Sequence, residues 1–299
     1  MIALITTAFA SQAPSLDPAT VPSSATGHGP QSNGKEHPVV ARLLVDRQGL
    51  KPGETARVGI HLQQEEGWHT YWKTPGEIGL PTEITWSLPA GMSASDAHQP
   101  VPERFDQDGQ VSYGYDGSVL HVAELTVPAD AKPGTATLAA DVSWLVCKTS
   151  CIPGSTHVEL PVQVGAAADP SVHAPLFDWW SKRWPTPSGD VKDLVITPML
   201  SVSGVRPDST FRAAVIVGRA DGKPLEGVDL GKSWPLFTPI TSGFDWSVDS
   251  TSLRQLPDGR VAAVMEATAY APDPLPTTDR IGGLVQVKLG DATVATEVT

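Results

Sequence analysis

Two cysteines are the residues of this sequence whose type and spacing most directly suggest chemistry. The 299-residue chain contains only Cys147 and Cys151, separated by Lys148-Thr149-Ser150 and followed by Ile152-Pro153-Gly154. Thiols this close can form a disulfide, exchange it with another protein's thiols, or hold a soft metal. Which of these is feasible depends on the backbone between them. On one continuous strand, residues four apart stand about 13 Å from each other, beyond disulfide reach. A helix would bring them together, but Pro153-Gly154 stops any helix two residues later. The remaining arrangement is a hairpin whose three-residue turn sets the sulfurs face to face, which allows a disulfide.

Three readings of such a pair stay open on the residues alone. As a staple it is weak, since closing a loop of about five residues stabilises by roughly 2 kcal/mol, against about 4.7 for a 100-residue loop. A tight, exposed, easily exchanged disulfide suits redox work better. A metal site would draw on Cys147, Cys151 and His157, but no second Cys or His pair stands at zinc spacing; copper(I), content with two thiolates, is the version left open. A thioredoxin-type motif does not fit. That motif has two intervening residues and opens a helix whose N-terminus lowers the thiol pKa. Here Lys148 is the nearby cation able to favour a thiolate.

The elements that must position the pair read as short strands. Val39–Val45 and Thr55–Leu62 flank the turn Lys51-Pro52-Gly53-Glu54. Further strands follow at Ile84–Trp86, Val119–Val127, Thr135–Val146 and His157–Val164, with turns at Lys73-Thr74-Pro75-Gly76 and Tyr115-Asp116-Gly117-Ser118. About seven strands over residues 37–165 fit an immunoglobulin-like β-sandwich. A helical connector is expected over 166–190, with its helix at Ala174–Arg183, Pro175 in the first turn and Pro185-Thr186-Pro187 at the end. Trp180 and Trp184 share a face of it, which predicts packing between domains. Strands resume at Phe211–Val217, Val261–Ala267 and Ile281–Leu289, giving a second β domain over 191–299 without cysteine. The fold class is therefore all-β: two immunoglobulin-like β-sandwich domains joined by a short helical connector.

Ahead of these, residues 1–36 read as a signal-like segment and a flexible leader. Met1–Ala10 is apolar and uncharged, and Ala8-Phe9-Ala10 has the small-x-small form of a signal-peptidase site. Residues 11–36, rich in Ser, Pro, Ala, Thr and Gly, have little to bury. A secreted chain works where disulfides persist.

Composition narrows the function classes. With 21 Lys+Arg against 33 Asp+Glu the net charge is −12, and a pI near 5.0 argues against nucleic acid or an anionic membrane as the main partner. No apolar run reaches the ~18 residues of a membrane span. The 27 Gly and 28 Pro punctuate many short strands. The eight His are scattered, and no Ser-His-Asp or paired-carboxylate arrangement emerges. Trp68, Trp72, Trp86 and Trp144 read as core and rim aromatics of the sandwich. Phe105, an aromatic among charged loop residues, has no evident core to fill.

Three ordered stretches carry a resemblance. Trp144-Leu145-Val146-Cys147-Lys148-Thr149-Ser150-Cys151-Ile152-Pro153-Gly154 resembles the active-site hairpin of the DsbD N-terminal domain family of thiol:disulfide interchange proteins, especially its ScsB-like branch. Gly67-Trp68-His69-Thr70-Tyr71-Trp72-Lys73-Thr74-Pro75-Gly76-Glu77-Ile78-Gly79-Leu80-Pro81 agrees with it, as does Pro102-Glu103-Arg104-Phe105 leading to Tyr113-Gly114-Tyr115-Asp116-Gly117. The resemblance covers residues 36–165, and the helix with a second β domain is also ScsB-like. It implies a periplasmic domain, without cofactor or metal, that relays electrons through Cys147 and Cys151. The donor would be a thioredoxin-like domain fed by a membrane electron-transfer protein. The acceptors would be disulfides of periplasmic proteins, with copper tolerance as one setting. By the same resemblance Cys151 forms the mixed disulfides and Cys147 resolves them. Phe105 shields the pair, Glu103 is its acidic neighbour, and Tyr71 and His69 lie near the sulfurs. His69 stands where some members have a tyrosine, and Arg104 and Asp106 depart from the family beside Phe105. The chain contains neither membrane segments nor a thioredoxin-like domain, so such partners are expected to be separate, or the chain to be part of a longer protein. The competing expectation is a non-enzymatic β-sandwich module that binds a protein or copper and carries a structural disulfide.

Overall fold

The computed structural model describes residues 13–31, 34–76, 78–107, 110–165, 168–200, 209–225, 237–240, 245–270, 282–289 and 292–298. The chain divides into two compact units, Gln12–Trp184 and Pro185–Thr299. Both are built mainly from antiparallel strand pairs, as the alternating strand patterns favour, with Gly49–Leu50 parallel to Gln163–Val164 as the exception in the first unit.

The first unit packs two sheets. One has the order β1 (Thr26–His28), β2 (Val39–Val45), β4 (Thr55–Gln64), β10 (Ser118–Thr126), β7 (Ser93–Ala94). The other has the order β3 (Gly49–Leu50), β12 (Cys151–Val164), β11 (Gly134–Cys147), β5 (His69–Gly76), β9 (Gln110–Asp116), β8 (Glu103–Gln107), with β6 (Glu83–Ser87) also on β11. Leu43, Ile60, Val142, Val146 and Trp72 are among the side chains buried in this unit. Along β12 the alternation is complete. Cys151, Pro153, Ser155, His157, Glu159, Pro161 and Gln163 are exposed, while Gly154, Val158, Leu160, Val162 and Val164 are buried. Lys73–Gly76, expected as a turn, instead ends β5.

Two expectations change here. The leader stretch is not without burial. Val21 and Ala25 are buried, and Thr26–His28 pairs antiparallel with Val40–Arg42. The few apolar residues between its prolines are enough to cover the sheet edge. The signal-like residues 1–10 lie outside the described residues.

The helix α1 (Ala174–Ser181), expected as a connector, groups with the first unit. Its Phe177 ring covers Gly59 of β4, where a Cβ would sit 3.2 Å from it. Arg57 of β4 lies 5.5 Å above the same ring and bridges Asp46 at 2.7 Å and Asp178 at 2.8 Å. The tryptophans follow the helix. Trp184 stacks on His98 with centroids 4.5 Å apart, and Arg183 covers Trp179. The apolar helix face covers a sheet that would otherwise expose one side, and that burial decides its placement.

The second unit has β13 (Leu194–Leu200), β14 (Ser209–Arg219), β17 (Val261–Tyr270) and β16 (Asp245–Gln255) in one sheet. Its other sheet has β15 (Phe237–Ile240), β18 (Gly282–Leu289) and β19 (Ala292–Val298). Phe211, Val215, Val217, Ala263, Met265 and Val285 form its core. The expected strands at 211–217 and 261–267 are β14 and β17. Ile281 lies outside the described residues.

Candidate functional site

The hairpin β11–β12 forms as its spacing predicts. Its ladder runs from Gly134↔Val164 to Cys147↔Cys151, with the Lys148 N–H donating to the Ser150 carbonyl inside the turn (3.2 Å). The cysteines are joined in a disulfide, their Cα atoms 4.1 Å apart. The two sulfur-bearing residues meet different surroundings. Cys147 is 1% exposed, whereas Cys151 faces solvent.

The Pro153-Gly154 that follows the pair has a role the spacing did not disclose. Gly154 stands directly opposite Trp144. A Cβ there would lie 2.5 Å from the indole, so glycine alone lets the ring lie across the strand. The indole also meets His37 edge-on at 5.5 Å. The turn end of the hairpin is thereby clamped to the segment leading into β2.

Beside Cys147 runs β5, with His69 as its register partner. His69 is buried and its ring stacks on Phe105 of β8, centroids 4.3 Å apart and planes 13° from parallel. This is where the aromatic among charges finds its contact. Tyr71, on the same face of β5, meets His69 edge-on at 5.2 Å and is fully buried. The Tyr71 ring lies against Gly79, whose φ of 107° and missing Cβ (2.3 Å from the ring if present) both demand glycine. Glu103 shares the strand face of Phe105 and is exposed. Arg104, on the other face of β8, pairs with Asp106 at 3.2 Å. The structure thus brings His69, Tyr71 and Phe105 together beside the disulfide.

Burial dominates the electrostatics. Desolvation lowers the His69 pKa, opposed by Asp116, its partner across to β9. It raises that of Tyr71, whose hydroxyl has no hydrogen-bond partner among the described residues. Partial desolvation, with Asp116 second, raises the Glu103 carboxyl although its side chain reaches solvent. At neutral pH the ring beside Cys147 is therefore uncharged.

Lys148 does not point freely at the sulfurs. Its Nζ donates to the Glu66 carbonyl at 3.0 Å, and its own carbonyl accepts from Gln107 Nε2 at 3.0 Å. Neither Glu66 nor Gln107 is identifiable from sequence, because both contacts use backbone oxygens that any residue supplies.

The metal set of Cys147, Cys151 and His157 is not assembled. His157 lies six residues along β12 from Cys151, about 20 Å away on an extended strand. Its ring is held instead between Asp141 (2.8 Å) and Glu159 (3.3 Å), which raise its pKa. Among the described residues no group of three or more His, Cys, Asp or Glu could hold a metal, and no helix is long and apolar enough to cross a membrane.

Comparison with known proteins agrees with this geometry. No curated protein matches the chain. The N-terminal periplasmic domain of ScsB from Proteus mirabilis shares the fold, at TM-score 0.58 and 18% identity, over 92% of this chain and 98% of that one. The GAE domain of yeast GGA1 matches at TM-score 0.25 and 15% identity over 46% of this chain and 99% of its own, too remote to inform function. Residues 41–163 match the model of the thiol:disulfide interchange protein DsbD, N-terminal. That segment contains nearly all of the disulfide hairpin and the other strands of its sheet, so the likeness lies in the first unit, which is similar to the N-terminal domain of DsbD, a thiol:disulfide interchange protein.

Proposed function

We propose that the first unit relays electrons through Cys147 and Cys151 in the periplasm, from a thioredoxin-like donor to disulfides of other proteins. The observation that carries the reading is the asymmetric pair, with Cys151 in solvent and Cys147 buried beside the Phe105–His69 stack. In the forward step a Cys151 thiolate attacks one sulfur of a substrate disulfide. That bond breaks, its electron pair leaves on the second substrate sulfur, and a mixed disulfide forms. The Cys147 thiolate then attacks Cys151 Sγ and releases the first substrate sulfur. Two electrons and two protons have passed to the substrate, and the Cys147–Cys151 disulfide is restored. A donor dithiol runs the same steps in reverse.

Phe105, resting on His69, keeps small thiols from the pair until a docking protein displaces it. Tyr71 supports His69 from beneath, and Glu103 supplies charge at the rim. The periplasmic setting and the membrane and thioredoxin-like partners are supported by the likeness to the DsbD N-terminal domain and to ScsB.

A Cys147→Ser chain tests the reading. It should accumulate a mixed disulfide through Cys151 with a thioredoxin-like protein or a periplasmic substrate. A pair whose reduction potential lies too low for a thioredoxin-like dithiol to reduce would sink the relay. It would leave a binding module with a structural disulfide.

A further inference from the structure

Two hydrogen bonds reach the turn between the cysteines from outside its hairpin. One ties Lys148 Nζ to the β4–β5 turn at the Glu66 carbonyl (3.0 Å). Gly67 follows there with a φ of 77°, and a Cβ on it would sit 3.0 Å from the ammonium. The other runs from Gln107 Nε2 to the Lys148 carbonyl (3.0 Å). Gln107 is the last residue of β8, two places beyond Phe105 and therefore on the same strand face. That face makes two attachments: the Phe105 ring on His69, and the Gln107 amide on the turn that carries both sulfurs.

We infer that Gln107 is a positioning residue, a latch that holds β8 and its Phe105 against the disulfide hairpin by donating to the Lys148 carbonyl. The inference rests on the thiol–disulfide reading of the site. Its chemistry is specific to the amide. The Lys148 N–H is already engaged with Ser150, so the turn offers β8 an acceptor, and only a donor side chain can use it. A glutamate would set oxygen against oxygen, and an aliphatic residue would leave the carbonyl to water. The amide does not titrate, so the latch keeps its strength across the pH range in which thiolates form. One neutral hydrogen bond of this kind shifts an equilibrium by a factor of about two to ten. That is enough to bias β8 toward the shut position and small enough for a docking protein to overcome.

The test is the rate at which dithiothreitol reduces the disulfide in the intact chain. A dithiothreitol thiolate attacks Cys151 Sγ, the Cys147–Cys151 bond breaks, and the electron pair leaves on Cys147 Sγ. The second dithiothreitol sulfur then displaces Cys151, so the reagent ends as its cyclic disulfide and both cysteines as thiols. Gln107→Met keeps the length of the stem and removes the donor. It should react about two to ten times faster than the parent, with a melting temperature within about 5 °C of the parent's, and Gln107→Ala should agree with it. In a Phe105→Ala chain, already unshielded, Gln107→Met should add nothing. Equal rates for parent and Gln107→Met would overturn the latch. So would the same acceleration with and without Phe105, since the amide would then act on the turn and not through β8. Dithiothreitol needs no biological partner, so either outcome is read even if Cys151 never traps a protein and the relay itself fails.

Discussion

Acidification should unfold the first unit through two buried histidines remote from the cysteines. His61 of β4 and His121 of β10 are 4% and 0% exposed. Burial pushes the His61 pKa down to about 3, with Arg42 adding to it, and that of His121 to about 4. Above pH 6.5 both rings are neutral in the folded and the unfolded chain, and the contribution to stability is whole. As pH falls below 6.5 only the unfolded chain takes up protons, until the folded rings titrate near 4 and 3. Stability therefore drops with pH across that window. At about 1.4 kcal/mol per unit, the step from pH 7 to pH 5 costs roughly 2 kcal/mol for each ring and about 4 for both. For a unit of this size that is a fall in melting temperature on the order of 10 °C. His37, His69 and His173 are displaced in the same direction by desolvation and add to it. Thermal unfolding followed by circular dichroism at pH 7, 6 and 5 measures the drop. His121→Leu isolates one of the two rings, because neither ring nitrogen has a hydrogen-bond partner among the described residues and an apolar side chain suits the site. That variant should lose about half of the pH dependence. A melting temperature equal at pH 7 and pH 5, or a His121→Leu chain as acid-sensitive as the parent, would refute the argument.

Three further outcomes follow from the geometry. Gly154→Ala puts a Cβ 2.5 Å from the Trp144 indole and should cost about 1–3 kcal/mol by urea unfolding, since the overpacked ring must leave its place. Arg57→Met leaves Asp46, 2% exposed, to the more distant Arg47 guanidinium at 3.7 Å, and should cost about 1–3 kcal/mol in the same assay, less than a fully buried pair because Arg57 itself is partly solvated and Arg47 remains. Iodoacetamide should modify Cys151 in a Cys147→Ser chain on the order of ten times faster than Cys147 in a Cys151→Ser chain, because one thiol faces water and the other is covered; equal rates would remove the asymmetry on which the order of attack rests.

Much of the scaffold is legible in the residues because a period of two is a strong signal on a sheet with one buried face. The run Thr135–Val146 and the alternation from His157 to Val164 find their ladder partners as expected, and the cysteine spacing leaves a hairpin as the one geometry that closes. The helix is recognisable from Pro175 and the later prolines, but its docking is not. An apolar face shows that something is covered and not what, and here it is the sheet containing Gly59. The leader misleads for a related reason, since a composition poor in apolar residues hides the two, Val21 and Ala25, that do pack. Around the disulfide, His69, Tyr71 and Phe105 are picked out by resemblance. Nothing local in their sequence says that His69 pairs with Cys147 or that Phe105 stacks upon it, because those neighbours come from strands far apart in the chain. Gln107 and Glu66 are invisible for a stricter reason: Glu66 accepts through its own backbone carbonyl and Gln107 donates to that of Lys148, and carbonyl oxygens carry no sequence mark.

The unequal setting of the two sulfurs has a kinetic consequence for the proposed relay. A protein arriving from solution meets Cys151 whether it comes to give electrons or to take them, since Cys147 presents almost no surface. Donor and acceptor must therefore use one doorway and cannot be held together. Turnover through such a site alternates strictly, each product leaving before the next reactant binds. Varying donor at several fixed acceptor concentrations should give the parallel double-reciprocal lines of a ping-pong scheme, and an excess of either protein should inhibit by occupying the entrance needed by the other.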